Sequence, residues 1–293
     1  MKTVFFALPG NEILTQQLAK KCDGEVGEVL IRKFPDGETY IKIGSDVANK
    51  KVVVVCTLND ADEKIMPLYF FVKTAKELGA KNICLVAPYL AYMRQDKRFN
   101  PGEGITSSYF ASFLSSFVDR LITIDPHLHR RKSLSEIYSI PSTVLHAQHL
   151  ITVWIKKNID QPLLVGPDEE SEQWVANAAK SIDVPYIVLQ KNRKGDEEVE
   201  VSVPDVQHFL DRTPVLVDDI ISTAQTMMQT VRHLRAANMK APVCIGIHAV
   251  FAGNAYQDLI NSGVSKIVSC NCIVHSSNQI DVADLIAAEL TPF

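Results

Sequence analysis

Two adjacent carboxylates followed by several hydroxyl side chains are the part of this 293-residue chain whose types and spacing could do chemistry. Asp218 and Asp219 can accept hydrogen bonds from sugar hydroxyls or hold a hydrated Mg²⁺. Beyond them come Ser222, Thr223 and Thr226, at the expected start of a helix whose N–H groups favour an anion such as phosphate. The stretch could therefore hold a phosphorylated sugar. An ordinary strand, turn and helix with Asp and Ser as capping residues explains the same pattern.

The elements that must position these residues are predicted from hydrophobic periodicity. Residues 215–217 are apolar and predict a short strand that ends before Asp218, at the edge where open α/β sheets bind ligands. A helix and a strand at 243–250 follow. The first half repeats this unit with a strand at 52–56, a helix and a strand at 83–87. The repetition predicts two related α/β halves, and we expect domains at 1–145 and 146–293.

A hairpin is predicted in the first half, where two strand-like segments at 29–33 and 39–43 flank the turn Pro35-Asp36-Gly37. Its tip carries Phe34, Asp36 and Glu38. Without other information, a solvated hairpin explains these residues.

Two loops that follow strands in the first half combine charges with groups that bind phosphate or metal. One contains Arg94, Gln95, Asp96, Lys97 and Arg98, and arginine forks bind phosphate oxygens through two hydrogen bonds. A charged surface loop is the commoner use of such residues.

The second loop, Asp125-Pro126-His127-Leu128-His129, follows the strand at 121–124. Its carboxylate and imidazoles could bind a divalent metal or phosphate.

Two further stretches in the second half read as ordinary surface features. Asp168 follows the strand at 163–165 and could be a simple turn or cap residue. Residues 190–198 are polar and charged, include Lys191 and Arg193, and predict a mobile surface loop.

Composition excludes several classes of protein. The net charge is −4 with no long basic run, so nothing favours a nucleic-acid partner. No stretch approaches the length of a membrane span. The six cysteines lack paired zinc-type spacing and are expected as buried thiols in a reducing compartment. We therefore expect a cytoplasmic protein.

Taken together and in this order, the motifs resemble those of the ribose-phosphate pyrophosphokinases, over nearly the whole chain. The 214–226 stretch is similar to the phosphoribosyl-diphosphate loop that this family shares with type I phosphoribosyltransferases. The resemblance implies an α/β fold of two related type I phosphoribosyltransferase-like domains, each a mainly parallel sheet flanked by helices. It implies transfer of the diphosphoryl group of MgATP to ribose 5-phosphate, giving 5-phosphoribosyl 1-diphosphate and AMP.

The resemblance also implies roles for individual residues. Nucleotide contacts would come from Phe34, Asp36, Glu38, Arg94 and Gln95, with Asp96, Lys97 and Arg98 as weaker candidates. His127 and Asp168 would hold Mg²⁺ with Asp125 in support. The transferring group would be stabilised by Lys191 and Arg193. Asp218 and Asp219 would orient the ribose hydroxyls, and Ser222, Thr223 and Thr226 would hold the 5-phosphate. A homo-oligomer is implied, with the hairpin aromatic stacking on adenine across a subunit boundary.

Some residues depart from the family pattern. Glu169 and Glu170 stand where small residues are common, Trp174 replaces a common arginine, and Gln225 stands where glycine is usual. Two alternatives stay open. A phosphoribosyltransferase would leave the Arg94-Gln95 loop, His127 and the hairpin without a role. A non-catalytic regulatory homologue is favoured by the departures but opposed by the presence of Lys191, Arg193 and His127.

Overall fold

The computed structural model describes residues 2–167, 171–194, 198–202 and 206–290. The chain divides into two compact units. One comprises Met1–His146, Cys272–Val274 and Val282–Phe293, and the other comprises Ala147–Asn271 and His275–Asp281. The domain limits expected from the sequence, 1–145 and 146–293, stay a prediction.

The first unit is built on a six-stranded parallel sheet. Its N-terminal elements are β1 (Thr3–Ala7), α1 (Glu12–Lys21), β2 (Glu25–Val26), the antiparallel hairpin β3 (Val29–Lys33) and β4 (Thr39–Ile43), and β5 (Lys51–Val55). They are followed by α2 (Ala61–Glu77), β6 (Asn82–Ala87), α3 (Thr106–Ser115), β7 (Arg120–Ile124) and β8 (Ser142–Leu145). The strand order in the sheet is β2-β1-β5-β6-β7-β8. Strand and helix side chains such as Phe6 and Phe71, whose ring centroids are 5.0 Å apart, form its buried core.

The second unit also has a six-stranded parallel sheet. The unit begins with α4 (Gln148–Asn158), β9 (Pro162–Gly166), α5 (Glu172–Ile182), β10 (Tyr186–Val188), and the antiparallel pair β11 (Gln190–Lys194) and β12 (Glu198–Ser202). It continues with β13 (Thr213–Ile221), α6 (Gln225–Ala236), β14 (Val243–Ala249), α7 (Ala255–Asn261), β15 (Lys266–Cys270) and β16 (Asn278–Ile280). The strand order in this sheet is β10-β9-β13-β14-β15-β16.

The two sheets have the same topology. In each, the second strand in chain order lies at one edge beside the first, an antiparallel hairpin follows, and the remaining strands then add in sequence on the other side. The predicted α/β class with two related, mainly parallel sheets is confirmed. Because side chains at the carboxyl ends of neighbouring parallel strands meet at one sheet edge, this topology determines which loops can share a site.

The last helix, α8 (Ala283–Leu290), packs in the first unit rather than in the second. Lys21 Nζ lies 2.5 Å from Asp284 Oδ1, and Glu289 pairs with Arg120. Thr143 Oγ1 also donates to Glu289 Oε1 at 3.1 Å. Contacts between residues so distant in sequence were not visible in any local pattern.

Two element predictions differ from the structure. The strand expected at 215–217 extends over Asp218 and Asp219 to Ile221, because β13 remains paired with β14 as far as Ile221 and Ala249. Backbone pairing, rather than side-chain hydrophobicity, decides where this strand ends. The mobile loop expected at 190–198 is instead largely in the β11–β12 pair, because Glu198–Ser202 alternates polar and apolar residues in a strand-like way.

Within the described residues, no helix has both the length and the apolar character needed to cross a membrane.

Candidate active site

The β3–β4 hairpin has a tightly closed tip. The Phe34 N–H donates to the Glu38 carbonyl at 2.8 Å, and the Gly37 N–H donates to the Phe34 carbonyl at 2.9 Å. Pro35 supplies the fixed φ of the first turn position, and Gly37 adopts the positive φ of +91° that closes the loop. The predicted hairpin is therefore formed for the local reasons expected from its turn residues.

Phe34 is presented at this tip by its strand neighbours. The guanidinium of Arg32 lies 4.7 Å from the Phe34 ring centroid and 4.3 Å from that of Tyr40. The Phe34 side chain is 39% exposed, and Asp36 and Glu38 are also exposed. An aromatic ring fixed by a cation and a second ring, with acids beside it, can accept a flat base with polar edges.

The loop after β6 rests on the start of α3. Gln95 Oε1 accepts a hydrogen bond from Thr106 Oγ1 at 3.1 Å, and the Gln95 carbonyl accepts one from the Ser107 N–H at 3.3 Å. Arg94 is exposed beside it, whereas Asp96 is buried. Arg94 can thus reach a phosphate in solution, while Asp96 faces the protein.

The end of β7 brings Asp125 against the end of β8. Oδ1 of Asp125 lies 2.6 Å from Nδ1 of His146, and Asp125 has a positive φ of +33°. The hydrogen bond to Asp125 raises the pKa of His146, which favours the charged imidazolium. His127 is half-buried, and its ring centroid is 3.8 Å from that of His129. Because β6, β7 and β8 are neighbours, the Gln95 loop and the Asp125–His127 loop lie at one sheet edge.

In the second unit, the paired aspartates are held by the backbone. Asp218 Oδ1 accepts a hydrogen bond from the Asp219 N–H at 2.9 Å, and Asp219 Oδ1 accepts one from the Ile220 N–H at 2.8 Å. Both residues are half-buried. Gly246 faces Asp218 across the ladder, and a Cβ there would come within 2.6 Å of the Ile221 side chain. The absence of a side chain at Gly246 therefore allows the end of β13 to pack as it does.

The turn between β13 and α6 leads into the N-terminus of a helix. Ala224 adopts φ +58° and precedes Gln225, the first residue of α6. The Phe251 N–H donates to the Ile221 carbonyl at 2.9 Å, and the Ala252 N–H donates to the Ser222 carbonyl at 3.1 Å, so the neighbouring loop supports the turn. Helix N–H groups at such a turn attract phosphate, and the first turn of α6 carries uncharged Gln225 and Thr226.

Other predicted site residues are less fully described. Asp168, with the departing residues Glu169 and Glu170, lies outside the described residues. Lys191 and Arg193 occupy alternate positions of β11, opposite Val201 and Val199 of β12. Trp174 lies in α5.

The available donor groups fit a hydrated Mg²⁺. Mg²⁺ prefers oxygen ligands, keeps several waters and binds through one or two carboxylates together with substrate phosphates. In the first unit, the carboxylate of Asp125 follows β7 and is oriented by its hydrogen bond with His146. In the second unit, taken by itself, Asp218 and Asp219 lie near the end of β13 and are oriented by hydrogen bonds from backbone N–H groups.

Comparison with known proteins begins with two family models that together span most of the chain. Residues 3–117 match the N-terminal domain of ribose phosphate pyrophosphokinase, and residues 133–285 match the phosphoribosyl transferase domain. A ribose-phosphate pyrophosphokinase of Saccharolobus solfataricus is 31% identical over 283 residues, covering 94% of this chain and 96% of the relative. The chain belongs to the ribose-phosphate pyrophosphokinase family.

Other similarities agree with this membership. The ribose-phosphate pyrophosphokinase of Methanobrevibacter smithii is 29% identical over 289 residues, covering 94% of this chain and 96% of the relative. The crystal structure of phosphoribosylpyrophosphate synthetase from Mycobacterium smegmatis superposes with a TM-score of 0.85 at 24% identity, covering 99% of this chain and 98% of that one. The structural similarity supports the fold. The family predicted from the sequence is confirmed by the family models and the relatives.

Sequence reasoning missed two residues that the structure brings to the expected site loops of the first unit. His146 follows β8 and lies beside Asp125. Arg130 pairs with Asp96. The signal that could have found both is their place just after strands of a parallel sheet, at the same edge as the expected site.

Proposed function

We propose that this chain transfers the diphosphoryl group of MgATP to O1 of ribose 5-phosphate, giving 5-phosphoribosyl 1-diphosphate and AMP. The observation that carries this proposal is the match of residues 3–117 to the pyrophosphokinase N-terminal domain, in addition to the phosphoribosyl transferase domain at 133–285. A phosphoribosyltransferase, which would consume the diphosphate, needs only the second type of domain and leaves the first without a role.

The second unit would bind the ribose 5-phosphate. Asp218 and Asp219 are oriented by the hydrogen bonds that they accept from backbone N–H groups. They would hold the ribose hydroxyls by charge-assisted hydrogen bonds. Ser222, Thr223 and Thr226 would hold the 5-phosphate at the start of α6, where the helix dipole favours an anion.

The first unit would bind the nucleotide. Phe34 would stack on the adenine while Asp36 and Glu38 contact its edge, which is supported by the exposed tip and the fixed ring. Arg94 and Gln95 would contact the phosphates. Exposure of Arg94 and anchoring of Gln95 by Thr106 support these roles.

Mg²⁺ would be held by His127 and Asp168, with Asp125 in support. When bound, it would neutralise phosphate charge and so ease attack by an oxygen nucleophile. His146 would keep Asp125 in one orientation through the 2.6 Å contact.

Catalysis by the protein would come mainly from positioning and electrostatics. The O1–Pβ bond forms as the bond between Pβ and the oxygen bridging to Pα breaks, and AMP leaves. Lys191 and Arg193 would stabilise the negative charge that gathers on the transferring group.

We also propose a homo-oligomer in which the hairpin tip reaches the nucleotide of a neighbouring copy. The exposed Phe34, Asp36 and Glu38 at the end of a separate two-stranded sheet support this arrangement. Sedimentation of the purified chain would test it, and a monomer at assay concentration would contradict it. A cytoplasmic location is proposed as well, since all six cysteines are thiols rather than disulfides, as is typical of a reducing compartment.

Phosphorus NMR of the purified protein with MgATP and ribose 5-phosphate tests the reaction. We expect AMP and a 1-diphosphate from the native chain, loss of both in Lys191→Ala, and near-native turnover in Lys194→Ala, a matched control on the same strand. Formation of ADP would indicate a single-phosphoryl kinase instead. Binding of both ligands without turnover would indicate the regulatory homologue.

A further inference from the structure

An ion pair between a buried carboxylate and an arginine side chain that is 43% exposed joins the two loops that follow β6 and β7. The Asp96 side chain is only 2% exposed, and Arg130 Nη1 lies 3.0 Å from its Oδ1 and 3.4 Å from its Oδ2. An exposed pair of this kind would contribute little to stability. A carboxylate removed from water, however, needs a nearby positive charge to stabilise its ionised form. Removing that partner leaves an uncompensated buried charge.

The next arginine strengthens the same junction. Arg131 Nη2 donates to Ser108 Oγ at 3.0 Å, and it lies 3.4 Å from both Ser107 Oγ and the Asp96 carbonyl. Arg130 thus binds the side chain of Asp96, and Arg131 contacts the Asp96 backbone and the first turn of α3. Two consecutive arginines of one loop therefore hold the other loop in place. The Arg130 guanidinium also lies 5.3 Å from the Phe99 ring centroid.

The pair lies directly beside residues assigned to the nucleotide. Asp96 follows Gln95 in the chain, and Arg130 lies three residues after His127. Moving Asp96 would therefore move Arg94 and Gln95, and moving Arg130 would disturb the loop that carries His127.

We propose that the Asp96–Arg130 ion pair is a positioning device. It keeps the Arg94–Gln95 loop and the Asp125–His127 loop at a fixed relative position in which both can bind the ATP phosphates. This inference rests on the proposed function and assigns Arg130 and Asp96 a role distinct from direct ligand contact. Arg130 acts through Arg94 and Gln95, so its loss should weaken the nucleotide side while the ribose side stays intact.

Four variants test the device: Arg130→Met, Arg130→Lys, Asp96→Asn and the double variant Asp96→Asn/Arg130→Met. Lys76→Met is the matched control, since Lys76 Nζ lies 2.8 Å from Asp119 Oδ1 in an ion pair of the same unit. Asp119 precedes β7 and accepts a hydrogen bond from the Ile83 N–H. This control pair therefore lies at the amino ends of the strands, opposite the Asp96–Arg130 pair. Each variant is assayed for kcat and for KM of both substrates, and amide hydrogen exchange of residues 93–98 is followed by mass spectrometry.

For Arg130→Met we expect KM for ATP to rise about 10- to 100-fold, with KM for ribose 5-phosphate within about twofold of native, because misplacing binding groups by about 1 Å has effects of this size. Exchange of residues 93–98 should accelerate in Arg130→Met but not in Lys76→Met. Arg130→Lys should recover part of the loss, since it keeps the positive charge but lacks the planar guanidinium. The double variant should be less impaired than Arg130→Met, because no buried charge is left unpaired.

Unchanged exchange of residues 93–98 in Arg130→Met, or equal increases in KM for both substrates, would overturn the positioning role. Failure of the native chain to form AMP would instead overturn the proposed reaction. In that case the exchange comparison still decides whether the pair orders the loop.

Discussion

Nδ1 of His275 accepts a hydrogen bond from the backbone N–H of Ser277 at 3.1 Å and lies 2.8 Å from Oγ of the same residue. The His275 ring packs against Phe251 and Tyr256, with centroid distances of 4.7 and 4.6 Å. The Phe251 N–H in turn holds the Ile221 carbonyl at the end of β13. A neutral imidazole is therefore part of the support of the proposed ribose 5-phosphate turn.

Acid should weaken this support. Burial lowers the pKa of His275, so the group is neutral in the folded protein and its stabilising contribution is present above the unfolded-state pKa near 6.5. The contribution is lost as pH falls below 6.5 and through the lowered folded-state pKa, because the unfolded chain binds the proton more readily. We expect the free energy of unfolding to fall more between pH 7.5 and pH 5 in the native chain than in the His275→Asn variant. Asparagine is chosen because its side chain keeps a hydrogen-bond acceptor two residues before Ser277 but does not titrate. Urea unfolding at both pH values measures this, and identical pH slopes would contradict it.

Neutralising either carboxylate of β13 should impair sugar binding. Asp218→Asn and Asp219→Asn replace a charged acceptor with an amide, and hydrogen bonds to charged groups contribute about 1.5–3 kcal/mol. We expect KM for ribose 5-phosphate to rise about 10- to 100-fold by steady-state kinetics, with a smaller change in KM for ATP. Asp211→Asn, an exposed carboxylate just before β13, is the control and should stay near native. Equal effects of all three changes would show that the paired aspartates have no special role.

Removing the aromatic ring of the hairpin tip should affect the other substrate. Stacking of a base on an aromatic side chain is worth about 1–3 kcal/mol, so Phe34→Ala should raise KM for ATP about 5- to 100-fold while Phe34→Trp stays close to native. Leu30→Ala removes another exposed apolar side chain from β3 and is expected to leave KM unchanged. Calorimetric titration with a non-hydrolysable ATP analogue gives a second measure of the loss. The prediction fails if Phe34→Ala binds that analogue as tightly as the native chain does.

Glycine at position 224 should stabilise the second unit. Ala224 has φ +58°, a left-handed conformation that costs a residue with a Cβ about 1–2 kcal/mol. The gain is partly offset by the greater flexibility of unfolded glycine and by the lost burial of the Ala224 methyl group. We expect Ala224→Gly to raise the free energy of unfolding by up to about 0.5 kcal/mol, measured by urea denaturation. Ala237→Gly, at the other end of α6 with φ −79°, is the control and should not stabilise. A destabilised Ala224→Gly would mean that the turn depends on the alanine methyl group.

Local features of the chain accounted for much of the fold and of the candidate site. The hairpin bounds at 29–33 and 39–43 agree with β3 and β4, because Pro35 and Gly37 impose the turn over short range. Predictions were weaker where strand pairing decides the limits of an element. β13 continues through the two aspartates because it stays paired with β14, and β11 pairs with β12 where a loop was expected.

The sequence by itself determined the types of most elements, the family and the residues proposed to meet ATP and ribose 5-phosphate, because these depend on periodicity, turn chemistry and short motifs. Only the tertiary structure decided the strand order, the packing of α8 in the first unit, and the contacts of Asp125 with His146 and of Asp96 with Arg130. The physical reason is that a side chain's burial and partner depend on which strands become neighbours, and that neighbourhood is set by the packing of the whole sheet.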